Sequence, residues 1–317
     1  MDECQRIRVP TPFSVGRVNC YLLTAGDVTL LDPGPATDAA YKALADGLAD
    51  YGLAVADVDR ILITHPHMDH FGIARRLKAD SGADLHAHQD AVDRMAAPDQ
   101  FLTQEQAFFR PYLRRMGVPE KTVDTVVALP DPYADYRDPV QTDHALIGGE
   151  TIDVGVDLDV IHTPGHAPGS VCFAVPPADA AFTGDHVMNE ITPNPLLTLR
   201  PDDPDARTRS LPTYIASLRT LGDRDLMRGY GGHRATVTDL PGRIEEILAH
   251  HEARADRIQG IVVDGGPINA YDLMEVLFPD LPVTEVFSGM SEIIGHLDLL
   301  VDWGEVTLDP DGRYRAT

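Results

Sequence analysis

The sequence predicts an α/β protein with its chemistry at the ends of strands, followed by a small, mostly helical C-terminal module. Three observations carry this. The apolar, β-branched run Asp59-Arg60-Ile61-Leu62-Ile63-Thr64 reads as a buried strand, and Gly72-Ile73-Ala74-Arg75-Arg76-Leu77 beyond it reads as the start of a helix. Further apolar runs stop at turns rich in His, Asp and Gly, at residues 163–170, 184–186 and 229–234. After Pro241 the pattern becomes helical.

Residues 13–23 and 28–32 read as opening strands, and residues 36–51 as an amphipathic helix with Ala40, Leu44, Leu48 and Tyr51 on one face. The strand at 59–64 follows. Residues 89–95 and 103–116 look helical, and residues 123–143 are rich in Pro, Asp and Tyr. Residues 158–162 and 170–175 read as strands, the second carrying Cys172 as a core residue. Near the end, helices are expected over about 242–263, 267–277 and 288–301, then a hairpin around Pro310-Asp311-Gly312.

Thr64-His65-Pro66-His67-Met68-Asp69-His70 packs three imidazoles and one carboxylate into a strand-to-helix turn. Neutral imidazole and carboxylate suit zinc or a neighbouring first-row ion. A single residue separates His65 from His67, so both rings can face one ion, while Asp69 and His70 face another. His166 in Thr163-Pro164-Gly165-His166, Asp185 after Phe182-Thr183-Gly184, and His233 after Gly231-Gly232 are the further candidates. His186 could hydrogen-bond behind the ligands or donate a proton, although strand alternation turns it away from Asp185. His86 and His88 form a second His-x-His with no Asp-His after it and are read as structural.

In this order the residues resemble the ligand set of the metallo-β-lactamase superfamily, His-x-His-x-Asp-His followed by His, Asp and His. Leu31-Asp32-Pro33-Gly34-Pro35 resembles that family's early Asp-x-Gly element, and the likeness covers residues 7–240. It implies a four-layer αββα sandwich over residues 1–240 with a dinuclear site between two sheets. Carried over, His65, His67 and His166 hold the first zinc, Asp69, His70 and His233 the second, and Asp185 bridges them. Iron or manganese are the other ions considered. Asp69 and Asp185 are the expected catalytic carboxylates. Asp32 either orients the ligand loop from behind or simply forms the turn before Pro33-Gly34. Two close cations bring the pKa of bound water down to about 7 and polarise a carbonyl or phosphoryl oxygen, so no serine or cysteine nucleophile is needed.

Residues 88–142 interrupt the family pattern and are expected to lie near the mouth of the site. Phe101, Phe108, Phe109 and Tyr112 are candidates for a substrate wall, with simple packing as the alternative at that helical spacing. Residues 241–317 resemble a winged helix, and the combination resembles the β-lactamase-like-protein-2 group, some of whose members cleave single-stranded RNA. Nucleic-acid binding needs cations, yet the third helix carries only Glu292, Asp298 and Asp302, leaving Arg313 and Arg315 on the hairpin. The module is therefore expected to support the site or form a homodimer surface. The leading expectation is hydrolysis of a small ester or thioester, as in the glyoxalase II branch. Phosphodiester cleavage of single-stranded RNA is the alternative, and a mononuclear iron persulfide dioxygenase is the alternative of another class, separable by iron content.

The chain of 317 residues has a net charge of -24, and its lysines are only Lys42, Lys78 and Lys121. This balance resembles proteins adapted to multimolar salt. The first residues lack the pattern of a secretion signal and no apolar stretch approaches a membrane span, so a cytoplasmic location is expected. Cys4, Cys20 and Cys172 do not imply a disulfide framework.

Overall fold

The computed structural model describes residues 4–128 and 134–317; residues 1–3 and residues 129–133 of the expected insertion lie outside the described residues. The first sheet runs in chain order through β1 (Cys4–Val9), β2 (Val18–Leu23), β3 (Thr29–Leu31), β4 (Arg60–Leu62), β5 (Asp84–His88) and β6 (His144–Leu146). Its first three strands are antiparallel, and β3 to β6 are parallel. The crossovers carry α1 (Asp38–Ala49), α2 (Met68–Phe71), α3 (Ala74–Ser81), α4 (Gln89–Ala96), α5 (Pro98–Arg115) and α6 (Glu120–Ala128). Thr37 starts α1 by accepting a hydrogen bond from the Ala40 amide, which satisfies one of the helix's free donors.

Strands β7 (Thr151–Asp153), β8 (Asp157–His162), β9 (Val171–Val175) and β10 (Ala180–Gly184) continue the chain. Strands β11 (Leu199–Arg200) and β12 (Asp203–Arg207) form a separate hairpin, and β13 (Arg228–Gly231) returns parallel to β10. The second sheet is therefore ordered β13-β10-β9-β8-β7.

Strand alternation sorts the apolar side chains into layers. On β2 and β3, Tyr21, Leu23 and Leu31 face the second sheet and meet Val160, Phe173, Val175 and Phe182. Their neighbours Cys20, Leu22 and Leu30 face outward and pack under Leu44, Leu48 and Leu77 of α1 and α3. On the far side, Ile161, Cys172 and Ala181 meet α7 (Ser210–Gly222) and α8 (Leu240–Gly265) through Leu211, Leu218, Ile244 and Ile247. The result is an αββα sandwich in which the central strands are covered on both faces, which is why β2, β3, β9 and β10 read as near-continuous apolar runs.

The last segment contains β14 (Ile268–Asn269), α9 (Ala270–Leu277), α10 (Val286–Asp302), β15 (Val306–Leu308) and β16 (Arg313–Ala316), with the three strands in the order β14-β16-β15. Helix α10 buries twelve of its 17 residues. Its acidic side chains are paired: Glu292 with Arg254, Asp298 with Arg207, and Asp302 with Arg209. Arg315 pairs with Asp309, and Arg313 donates to the Pro267 carbonyl. The acid face expected on this helix is thus neutralised within the fold. Phe109 lies in the same apolar cluster as Leu273, Met274 and Ile294, with Phe108 and Tyr112 against it, so these three are packing residues rather than a substrate wall. No helix among the described residues is long and apolar enough to cross a membrane.

Candidate metal centre

Strands β3, β4, β8, β10 and β13 all end at one edge of the sandwich, and each hands over to a turn carrying one of the expected residues. After β4, residues 63–67 lead into α2, whose single turn carries Asp69 and His70. At the end of β10, Gly184 has φ +49 and lies against Thr64, where an added Cβ would sit 2.5 Å from Oγ1. Glycine is therefore needed there on both conformational and steric grounds.

The donor atoms of His65, His67 and His166 lie within 4.8 Å of one another, and those of Asp69, His70 and His233 form a second such group. Asp185 lies between the groups. Its Oδ1 is 3.6 Å from His70 Nε2, and its Oδ2 is 3.6 Å from His233 Nε2 and 3.9 Å from His166 Nε2. Asp69 Oδ2 is 3.3 Å from His233 Nε2, and His67 Nδ1 is 3.0 Å from His166 Nε2.

Three of the rings are oriented from behind. His65 Nδ1 is 3.0 Å from Thr64 Oγ1, His70 Nδ1 is 2.9 Å from Asp32 Oδ2, and His233 Nδ1 is 3.0 Å from the Arg17 carbonyl. With Nδ1 donating, each ring turns its Nε2 toward the centre, the nitrogen by which imidazole would bind a metal once its proton is displaced. Those three Nε2 atoms, together with Asp185 Oδ1, are buried and have no hydrogen-bond partner among the described residues. A buried polar atom without a partner is costly, so the Nε2 atoms of His70 and His233, each 3.6 Å from Asp185, fit a cation there. The residues present fit a two-ion centre.

Asp32, buried and held at φ +55, also accepts from the Thr64 amide at 2.8 Å and from Thr64 Oγ1 at 2.6 Å. Its carboxylate thus ties the ligand loop to the end of β3. Burial and then the neighbouring imidazoles lower the proton affinity of His65 well below the ordinary histidine range; for His67, burial, His166 and Arg94 act the same way. Burial opposes a charge on His70, but Asp32, Asp185 and Asp69 outweigh it and raise that pKa well above the usual value. For Asp185, burial is likewise outweighed by His70 and His233, which keep the carboxylate ionised. The centre stays open on one side, with Asp69, His166 and Asp185 side chains 13%, 12% and 10% exposed.

His186 is buried, and its ring faces Tyr214 at 5.1 Å rather than joining either donor group among the described residues. His86 stacks on His144. His88 stacks on His162 at 3.8 Å and 17°. Asp90 lies close to His88 and His162, but nearly parallel rings direct their in-plane lone pairs alongside each other rather than toward one ion. In the insertion, Arg94 lies over the Phe101 ring and reaches Thr198 Oγ1 at 3.4 Å. Thr64 and the Arg17 carbonyl are supporting groups not foreseen in the sequence. The first has a signal, a hydroxyl directly before the first histidine, but a backbone carbonyl has none.

The sequence profile of the Metallo-beta-lactamase superfamily matches residues 14–233. A probable metallo-hydrolase of Bacillus subtilis, YqjP, is 29% identical over 299 residues, 94% of this chain and 92% of that protein. An atrochrysone carboxyl ACP thioesterase of Claviceps purpurea is 28% identical over 123 residues, 38% of this chain and 36% of that protein. Among solved structures, a metallo-beta-lactamase family protein from Thermus thermophilus superposes with a TM-score of 0.81 at 30% identity, covering 100% of this chain and 99% of that one. The match over more than half the chain, with the same fold end to end, makes this protein a member of the metallo-beta-lactamase superfamily.

Proposed function

We propose that the protein is a two-metal hydrolase of a small ester or thioester, with His65, His67 and His166 holding one ion, Asp69, His70 and His233 the other, and Asp185 shared between them. The observation that carries this is the convergence of the His70, His233 and His166 Nε2 atoms on the carboxylate of Asp185, the first two buried with no partner among the described residues. When bound, such a pair of cations supplies a nucleophilic water near neutral pH and polarises the carbonyl oxygen of the substrate. Asp185, ionised and largely buried, contributes the negative charge that allows two dications to approach. Asp69 stays ionised as well, since His70 and His233 outweigh its burial, so its oxygen accepts a hydrogen bond and orients the attacking water rather than carrying a proton.

The acyl reading is supported by a thioesterase among the relatives and by the character of the C-terminal module. A nucleic-acid reader would present α10, yet that helix is mostly internal and its carboxylates are paired inside the fold. We read the module as a support that packs on α7 and α5. Zinc is the ion best matched to five imidazoles and two carboxylates.

The test is the initial rate of hydrolysis of a short acyl thioester in molar KCl, using zinc-loaded protein, a chelated sample and Asp185→Asn. Turnover that disappears in both controls is expected. No turnover in protein holding two zinc equivalents would redirect the assignment to phosphodiesters, and a single tightly held iron in protein as isolated would redirect it to an oxidoreductase.

A further inference from the structure

The loop that carries His233 belongs to the second sheet, but it is held by a strand of the first. Next to β2, the Arg17 carbonyl accepts from His233 Nδ1 at 3.0 Å, and Val18 and His233 form an isolated antiparallel bridge. Within β2, the Asn19 amide donates to the Gly232 carbonyl at 2.7 Å. The Asn19 side chain reaches further, with Nδ2 donating to Gly231 O at 2.9 Å and to Arg234 O at 3.1 Å. Tyr21 Oη donates to the same Gly231 carbonyl at 2.8 Å. Every carbonyl from Gly231 to Arg234 except that of His233 thus receives a bond from this strand.

Two details show that these contacts hold a conformation the loop would not keep unaided. Arg234, directly after the histidine, has φ +62, a region that a long side chain rarely adopts and that persists only when its surroundings enforce it. Asn19 is buried at 1% exposure, yet its Oδ1 has no partner among the described residues, so both of its bonds are donations to the loop. Tyr21 is fixed in turn by Phe182 and Tyr230, at ring distances of 5.1 and 5.8 Å, so its hydroxyl is aimed by the inter-sheet core.

We infer that Asn19 and Tyr21 are positioning residues for His233, and that β2 sets the affinity of the metal subsite formed by Asp69, His70 and His233 while leaving the His65, His67 and His166 subsite alone. The inference rests on the two-metal reading. Its logic is that of partners behind a ligand, whose removal typically lowers metal affinity by about 10- to 100-fold. Here the partner acts on the loop backbone as well as on the ring.

The test is titration of metal-free protein with Co2+, followed by calorimetry and visible absorption, for the wild type, Tyr21→Phe, Asn19→Asp and His233→Ala. Tyr21→Phe removes one hydrogen bond at nearly constant volume, and melting of each metal-free variant reports whether the fold is retained. The expected result is two equivalents in the wild type, with one of them weakened about 10-fold or more in Tyr21→Phe and Asn19→Asp. The same equivalent should be the one lost in His233→Ala. The positioning role is overturned if Tyr21→Phe binds both equivalents as the wild type does, or loses both alike. A wild type that takes up fewer than two equivalents, or a His233→Ala variant that keeps both, overturns the two-metal reading and this inference with it.

Discussion

Asp32 and His70 are joined behind the metal centre, with Asp32 Oδ2 2.9 Å from His70 Nδ1 and neither side chain more than 1% exposed. The same carboxylate takes two bonds from Thr64, so it fills three acceptor positions. Asparagine has the same shape and tolerates the positive φ, but its amide must face either Thr64 or His70, which opposes donor to donor. Asp32→Asn should therefore cost about 1–3 kcal/mol of stability and about 10- to 100-fold in affinity for one metal. Thermal melting and calorimetric titration measure the two effects. Wild-type affinity for both equivalents would mean that Asp32 only forms the turn.

Gly232 passes directly over the site. An added Cβ would lie 2.5 Å from Asp185 Oδ1 and 2.6 Å from His70 Cε1. Its φ is outside the left-handed region, so Gly232→Ala is a matter of space alone. The variant should fold, as judged by circular dichroism, but retain less metal after dialysis and turn over at least about ten times more slowly, since an ångström of misplacement at reacting groups costs of that order or more. Gly260→Ala is the control, because nothing lies within 4 Å of its added Cβ and it sits inside α8. That change should leave metal content untouched and add about 0.5–1 kcal/mol of stability. Equal metal retention in the two variants would contradict the geometry.

What could be read from the sequence follows from where each signal resides. The ligand candidates were legible because their chemistry is carried by rare residue types in turns that close apolar strands. The long helix at 240–265 was legible from its 3.6-residue apolar spacing. Strand β1 was missed because only Arg6-Ile7-Arg8-Val9 alternates charged with apolar residues, four positions being too few for a two-residue period to register. Strands β6 and β7 are three residues each and partly exposed, too short for a period to register. Phe109 shows a limit of another kind. An aromatic on a helix face looks the same whether it meets substrate or core, and its partners Leu273 and Met274 lie more than 160 residues away. The hold of β2 on the His233 loop runs largely through backbone carbonyls, which every residue possesses.

The buried pair His251 and His296 makes the fold acid-sensitive at the contact between α8 and α10. His251 Nδ1 lies 3.3 Å from His296 Nε2, and the rings are 1% and 0% exposed. Burial first, then His296, His250 and Arg254, push the His251 pKa down to about 3, and burial takes His296 to about 4. Unfolded histidine titrates near 6.5, so below that pH the unfolded chain takes up protons that the folded one refuses. Stability is thus complete above about 6.5 and declines toward pH 4, by up to about 1.4 kcal/mol per unit for each histidine. Melting curves from pH 7.5 to 5.0 should fall less steeply in His251→Gln than in the wild type. Parallel curves would show that this pair does not govern acid stability.

Salt should act in the opposite sense to that expected of a protein held together by surface ion pairs. Exposed pairs such as Lys42 with Asp46 and Arg76 with Asp38 contribute little and weaken as salt rises. Against them stands a net charge of -24, with Asp and Glu totalling 50 and Lys and Arg only 26, so nearly half of the carboxylates have no cation to meet. Their repulsion acts over the Debye length, about 10 Å at 0.1 M salt and about 3 Å at 1 M. Raising KCl from 0.1 M toward molar concentrations should therefore increase the melting temperature, with the steepest gain at the low end where screening changes fastest. An uncharged osmolyte at matched osmolarity separates screening from solute exclusion. A melting temperature flat in KCl, or one that rises equally with the osmolyte, would mean that repulsion among the carboxylates does not limit the fold.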